Sequence, residues 1–315
     1  MASKESITSR ALKLTGSVAV GVLLYLYVLP FVLQTGWVSW AKLVGKADLC
    51  SWKRIIRFEP DLERFAKIYE EARSSIEPLP GVDRGLRQIK YRGKPFWIRH
   101  DSLPRDYIGY LFAEHEWLIE TNPSESVQRG DVVLDIGAHV GVFTAQALEL
   151  GAAKVVAVEP DPGNVECLRR NFSEDIAAGR VVLVEEAAWN KRETLTFHLG
   201  ESSAWNSLMH DAGGGVLEVS ARPLDEIVEE LGLESVDYMK IDVEGAEAEV
   251  MEGAAGIFRA HRPTVMVDSH QGGTGWTRAP EILRQAHPDY ESVCGPCQLN
   301  EYERDHVVPH VMFYR

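Results

Sequence analysis

The chain has 315 residues, enough for one large α/β domain with extensions and a substantial core. Its 47 acids against 33 Lys and Arg leave a formal net charge of −14, which argues against nucleic acid as a substrate because phosphate contacts need a basic face. Four cysteines in this length do not make a disulfide scaffold.

The charge is unevenly spread. Residues 1–60 carry eight Lys or Arg against three acids, so the acidity belongs to the rest of the chain. From Leu14 to Ala41 no residue is charged, and the Val18 to Leu33 run is apolar enough to cross a hydrocarbon core of about 30 Å as a helix. A buried core helix rarely runs that far without a polar face. A cleaved signal peptide would want small residues after Leu33, where Gln34-Thr35-Gly36-Trp37 stands instead. The expectation is an uncleaved single-pass anchor, kinked or ended at Pro30, with Trp37 and Trp40 in an interfacial belt. Lys42, Lys46, Lys53, Arg54 and Arg57 outnumber Lys4, Arg10 and Lys13, so the positive-inside bias places the C-terminal part in the cytoplasm.

Next, Asp61 to Ile76 has apolar residues at helical spacing, and Pro78 to Gly81 ends the pattern. Gln88 to Arg92 and Pro95 to Arg99 alternate about a glycine turn and predict a hairpin, the whole forming an extension packed against the catalytic domain. Tyr107 to Glu120 reads as a helix ending before Asn122-Pro123. The division expected is tail and anchor over 1–41, extension over 42–104, and a catalytic domain over 105–315.

From Val132 onward strands and helices alternate. Strands are expected at 132–136, 155–159, 181–185, 236–242 and 264–268, with helices at 141–150, 162–172 and 245–259. Such alternation means right-handed crossovers and a parallel, doubly wound sheet. An added strand pair at 194–198 and 216–220 flanks a Gly/Ser-rich passage holding Ser207, and Ser292 to Tyr314 supplies the last strands.

The first strand closes on Asp135 and turns through Gly137 and Gly141 straight into a helix, the pattern of a nucleoside pocket. Ala138, His139 and Val140 fill the gap between the glycines, so the third glycine of a dinucleotide fingerprint is missing. The next strand ends in Glu159, about 20 residues on, where a carboxylate can accept bonds from both ribose hydroxyls.

Asp135-Ile-Gly-Ala-His-Val-Gly141, Glu159-Pro-Asp161 followed by Asn164, Glu186-Ala-Ala188 and Lys240-Ile-Asp-Val-Glu-Gly-Ala-Glu247 resemble the successive motifs of FkbM-type S-adenosylmethionine-dependent methyltransferases. The resemblance covers roughly Phe112 to the C-terminus. It implies a Rossmann-like class I methyltransferase sheet, mostly parallel, with one antiparallel strand near the C-terminus. S-adenosylmethionine is the implied cofactor, with Asp135 orienting its methionine end, Glu159 on the ribose with Asp161 beside it, and Glu186 and Ala187 flanking the adenine. Gly137, His139 and Gly141 are the turn residues touching it. Glu114 or Glu116 stands where the family has an acid before the first motif; an exposed helical glutamate is the plainer reading.

Methyl transfer to a hydroxyl needs positioning and a proton acceptor. Asp242 and Glu244 straddle the fourth strand's end, and Asp268-Ser-His270 closes the fifth. Asp242, Glu244 and His270 are the candidate catalytic residues, with His270 suited by its ordinary pKa to act as a base. Asp242, Asp268 and His270 can alternatively hold a divalent metal, which is the less favoured route. Glu244 has a structural alternative before the next helix, and Lys240 can serve by pairing with a neighbouring acid. Cys294-Gly-Pro-Cys297 reads as a turn between late strands ahead of a zinc or redox site.

The resulting expectation is an anchored methyltransferase acting on a hydroxyl of a glycan, glycolipid or other membrane-associated small molecule, including lipid-linked saccharides, with no nucleic acid partner. Its rivals are an NAD(P)-dependent oxidoreductase and a non-catalytic scaffold that keeps the fold.

Overall fold

The computed structural model describes residues 29–100, 106–200, 213–268, 275–300, 303 and 305–315. The chain divides into two compact units, one of residues up to Glu59 together with Cys297–Val308, the other of Pro60–Pro296 and Pro309–Arg315.

The larger unit is built on a seven-stranded sheet. Its strands are β4 (Val132–Ile136), β5 (Lys154–Val158), β6 (Val181–Val184), β10 (Tyr238–Ile241), β11 (Thr264–Asp268), β12 (Ser292–Cys294) and β15 (Val311–Tyr314), in the order β12-β15-β11-β10-β4-β5-β6. Pairings among β11, β10, β4, β5 and β6 are parallel, and β15 runs antiparallel to both β11 and β12. One antiparallel strand near the C-terminus is thus the arrangement that the family resemblance implied. Alternate residues feed opposite layers: Val133, Val155 and Tyr238 pack on one face, while Leu134, Val156 and Met239 pack on the other. Both faces are covered, which is why these strands read as continuous apolar runs.

The helix predicted over 245–259 is two, Glu247–Glu252 and Ala255–Ala260. Gly253 sits at the break because a Cβ there would meet the Trp189 carbonyl oxygen at 2.0 Å, and Asp225 caps the second helix through the N–H groups of Gly256 and Ile257. The added strand pair is β8 (Glu193–Gly200) and β9 (Gly213–Arg222), joined by β7 (Ala187–Ala188) in a small sheet; Ser207 lies outside the described residues.

Ahead of the main sheet, the helix Phe58–Ser74 leads into β1 (Ile76–Pro78), β2 (Leu86–Tyr91) and β3 (Lys94–Arg99), an antiparallel three-stranded sheet containing the predicted hairpin. The helix Tyr107–Thr121 then packs Phe112, Ala113 and Trp117 into the layer that holds Val133.

The smaller unit corrects the membrane expectation and adds a disulfide to the expected turn. Among the described residues no helix is long and apolar enough to cross a membrane, so a single-pass protein with its catalytic part facing the cytoplasm is not supported. The helix Leu29–Leu43, at the edge of the described residues, is interrupted at Gly36 (φ 47°, ψ −131°). Leu14 to Val28 lie outside the described residues. Cys294 and Cys297 bracket the turn between two late strands, as expected, and Cys297 also forms a disulfide with Cys50, 247 residues away, leaving Cys167 and Cys294 outside any disulfide. The bonded cysteine begins β13 (Cys297–Leu299), which pairs with β14 (Val307–Pro309), and the Val307 N–H donates to the Lys46 carbonyl at 2.8 Å.

Candidate active site

A cleft of about 860 Å3, measured to its open mouth, lies beyond the carboxyl ends of β4 and β10. Strand order reverses between these two strands, the position where open α/β sheets bind ligands. One half is lined by Gly137, Ala138, His139, Glu159, Asn164 and Ala187. Tyr107, His115, Lys240, Asp242 and Glu244 line the other.

The turn after β4 has a steric cause. Gly137 (φ 75°) would place a Cβ 1.9 Å from the Asp242 carbonyl oxygen, and Gly141 (φ 94°) would place one 2.3 Å from Phe172. Both glycines are therefore demanded by neighbouring protein atoms, and Gly141 does not line the cleft. Between them His139 takes φ 51°, and its N–H donates to Glu159 Oε2 at 2.9 Å. Burial first, then the Lys240 and Arg99 charges, lower its imidazole pKa to about 3, so His139 is neutral and no base at physiological pH.

Glu159 is buried at 5 % exposure. Its Oε1 accepts from the Asp161 N–H at 2.9 Å and the Asn164 side-chain amide at 3.2 Å, while Oε2 accepts only the bond from His139. Desolvation raises its pKa to about 7 against the lowering effect of these donors. Asn164 Oδ1 is buried without a hydrogen bond. An acceptor-rich carboxylate beside an unpartnered amide oxygen suits a ligand that brings two donors, as a ribose diol does. The residues present therefore fit the nucleoside half of S-adenosylmethionine.

Asp161 does not line the cleft. It caps the helix Pro162–Asn171 by accepting from the Gly163 and Asn164 N–H groups and pairs with Arg99 at 2.9 Å. Glu186 also faces away, paired with Arg222 at 2.5 Å, whereas Ala187 is on the wall. Asp135 is fully buried beneath the cleft, accepting from Thr144 Oγ1 at 2.6 Å, with its other oxygen 3.6 Å from Lys240 Nζ.

Lys240 connects the two halves. Its ammonium donates to the Gly137 carbonyl at 2.8 Å and lies 3.2 Å from Asp242. Burial alone would lower its pKa, but Asp242 and Asp135 together hold it above the ordinary lysine value, so it is a permanent cation. The alternative of a lysine paired with neighbouring acids is the one the structure shows. Asp242 is about one third exposed and Glu244 holds φ 55° on the same wall. His270 lies outside the described residues. Among the described residues, no three carboxylates or imidazoles bring ligand atoms within 4.8 Å of one another.

The pre-motif acids separate clearly. Glu114 is buried against His310 Nε2 at 2.6 Å, while Glu116 pairs with Arg92 at 2.7 Å nearer the surface. Several wall residues escaped sequence reasoning. Tyr107, Leu111 and His115 recur every four residues on one helix and share its cleft face, a spacing that could have been read once the helix was known to border the site. Burial lowers the His115 pKa to about 4, and burial followed by the charges of Asp242, Glu114, Glu244 and Asp268 raises that of Tyr107 well above its ordinary value.

A doubly wound sheet with this strand order, an acid at each of two adjacent strand ends and a cleft at the switch point define a methyltransferase-like α/β fold. Residues 135–290 match the methyltransferase FkbM domain, so this segment is an FkbM-type methyltransferase domain, a family that implies S-adenosylmethionine as methyl donor. It is 30% identical over 155 residues to the 31-O-demethyl-FK506 methyltransferase FkbM of Streptomyces tacrolimicus, covering 39% of this chain and 59% of that protein. The 2-O-methyltransferase NoeI of Sinorhizobium fredii is 30% identical over 140 residues, covering 39% and 56%. The hexuronic acid methyltransferase AglP of Haloferax volcanii is 27% identical over 148 residues, covering 47% and 59%. The chain thus spans between 56% and 59% of the length of these relatives.

Proposed function

We propose that this protein transfers a methyl group from S-adenosylmethionine to a hydroxyl of a saccharide or polyketide-type small molecule. The observation that carries the reading is the placement of Glu159 and Asp242 on opposite halves of one cleft, bridged by the His139 turn and Lys240. One of the similar relatives is named as a 2-O-methyltransferase, one as a 31-O-demethyl-FK506 methyltransferase and one as a hexuronic acid methyltransferase, which supports a hydroxylated acceptor.

Bound S-adenosylmethionine supplies an electrophilic methyl on a sulfonium sulfur. Glu159 and Asn164 hold the ribose end, and the apolar wall of Val158, Ala187 and Phe197 takes the adenine. Asp242 accepts the proton of the acceptor hydroxyl. Lys240 Nζ lies 3.2 Å from that carboxylate and sets a cation beside the group that takes up the proton. Glu244 contributes a second carboxylate to the acceptor side, and His270, by its place in the sequence, is the other base considered for this step. Neutral His139 and His115 add contact surface without adding charge.

The test is label transfer from methyl-labelled S-adenosylmethionine to a panel of glycosides and hydroxylated macrolides, with Asp242→Asn as the variant. Wild type should label at least one acceptor, and the variant should lose about 10²-fold to 10⁴-fold in kcat while S-adenosylhomocysteine affinity stays within about twofold. Transfer by the variant at the wild-type rate would remove Asp242 from this role.

A further inference from the structure

The hairpin β2–β3 precedes residue 135 and so lies outside the matched domain, yet it grips the segment that carries the ribose acid. Arg99, the last residue of β3, places Nη1 2.9 Å from Asp161 Oδ1. The contact is tight, since a Cβ at Gly163 would fall 2.1 Å from the same Nη1. Further along the strand, the Trp97 N–H donates to Asn171 Oδ1 at 2.6 Å, and Asn171 Nδ2 donates back to the Trp97 carbonyl and to the Val140 carbonyl at 2.9 Å each. The Arg170 guanidinium lies 4.5 Å over the Trp97 ring. Both ends of the helix Pro162–Asn171 are thereby fixed to one strand.

From Asp161 the chain of contacts reaches the cleft in one step. Its N–H donates to Glu159 Oε1, and its carboxylate caps Gly163 and Asn164, whose side-chain amide donates to the same Oε1. Two carboxylates only two residues apart repel one another, and that repulsion disfavours ionised Glu159. The guanidinium offsets the nearer charge and pins the turn with a charge-assisted bond.

We propose that Arg99 is a positioning residue of the cofactor site, holding the Asp161 turn so that Glu159 meets the ribose as a preorganised carboxylate. The proposal rests on the nucleoside reading of the cleft, and it makes the N-terminal hairpin a working part of a site whose motifs all lie later in the chain.

The experiment has two arms on the full chain. The first measures amide hydrogen exchange across residues 159–164 in the ligand-free protein. Arg99→Ala should raise exchange there by about tenfold and leave β4 and β5 unchanged, and unaltered exchange would overturn the link between hairpin and turn. The second titrates S-adenosylhomocysteine well below each variant's unfolding midpoint. Arg99→Ala and Asp161→Asn should each weaken binding by about tenfold, Arg99→Lys should recover part of the loss, and the double variant should be no worse than the poorer single one. Losses that multiply, or Arg99→Ala binding within about twofold of wild type, would overturn the proposal. Absence of binding by wild type itself would overturn the nucleoside reading, and the first arm would still report on the turn.

Discussion

The His139 N–H donates to Glu159 Oε2 at 2.9 Å, joining the turn after β4 to the end of β5 across 20 residues. The glycine turn and Glu159 are therefore one unit, and pH should act on both together. Glu159 has its pKa raised from 4.5 to about 7 by burial. Its contribution to folding stability is consequently present in full below the unfolded value of 4.5 and is lost as pH rises through about 7. Ligand affinity should move the opposite way, because diol donors favour the ionised carboxylate. Affinity for S-adenosylhomocysteine should rise from pH 6 to 8, by up to about tenfold per pH unit below 7, and Glu159→Gln should flatten and lower the curve.

Lys240 is buried between Asp135 and Asp242. Lys240→Met leaves Asp135 fully buried beside an apolar group and should cost about 3–5 kcal/mol of stability in denaturant unfolding. The raised lysine pKa contributes stability that persists until the solution is strongly alkaline, so the wild-type pair should give no pH dependence between 6 and 9.

Gly137 and Gly179 make a matched pair, since both have left-handed φ, at 75° and 72°. A Cβ at Gly137 meets the Asp242 carbonyl at 1.9 Å, and one at Gly179 meets nothing within 4 Å. Gly179→Ala should cost about 1 kcal/mol from backbone strain alone. Gly137→Ala adds a backbone clash, should cost about 3 kcal/mol or more, and should abolish nucleoside binding. Equal losses of unfolding midpoint in the two variants would contradict this account of the turn.

The Cys50–Cys297 bond should contribute about 2–5 kcal/mol to the smaller unit. Alkylation of the unfolded, unreduced protein should label Cys167 and Cys294 alone, and reduction should add two more sites while lowering the unfolding midpoint. Four labelled cysteines without reduction would rule the bond out.

The sheet was legible because each central strand is a β-branched apolar run stopped by a polar strand end. The expected strand at 132–136 and the observed Val132–Ile136 coincide, as do those at 264–268. The hairpin and the helix from Tyr107 were legible for similar local reasons. What escaped depends on distance in sequence. Arg99 reaches Asp161 over 62 residues, Glu114 reaches His310 over 196, and Cys50 reaches Cys297 over 247, and no periodicity marks such partners. The apolar run Val18 to Leu33 suggested a membrane helix by its content, and most of it lies outside the described residues, among which no helix is long and apolar enough to cross a membrane. At the site, strand-end position located Asp135 and Glu186 correctly in the fold but not their facing. Asp135 is sealed beneath Lys240, and Glu186 is turned to Arg222.

The central claim is that the cleft between β4 and β10 holds a nucleoside-bearing methyl donor. Calorimetric titration of the folded protein with S-adenosylhomocysteine, alongside NADH, tests it most directly. The account predicts one site with a Kd of about 1–100 μM, weakened at least tenfold by Glu159→Ala, and no heat from NADH. Heat from NADH, with none from S-adenosylhomocysteine at millimolar concentration, would contradict it.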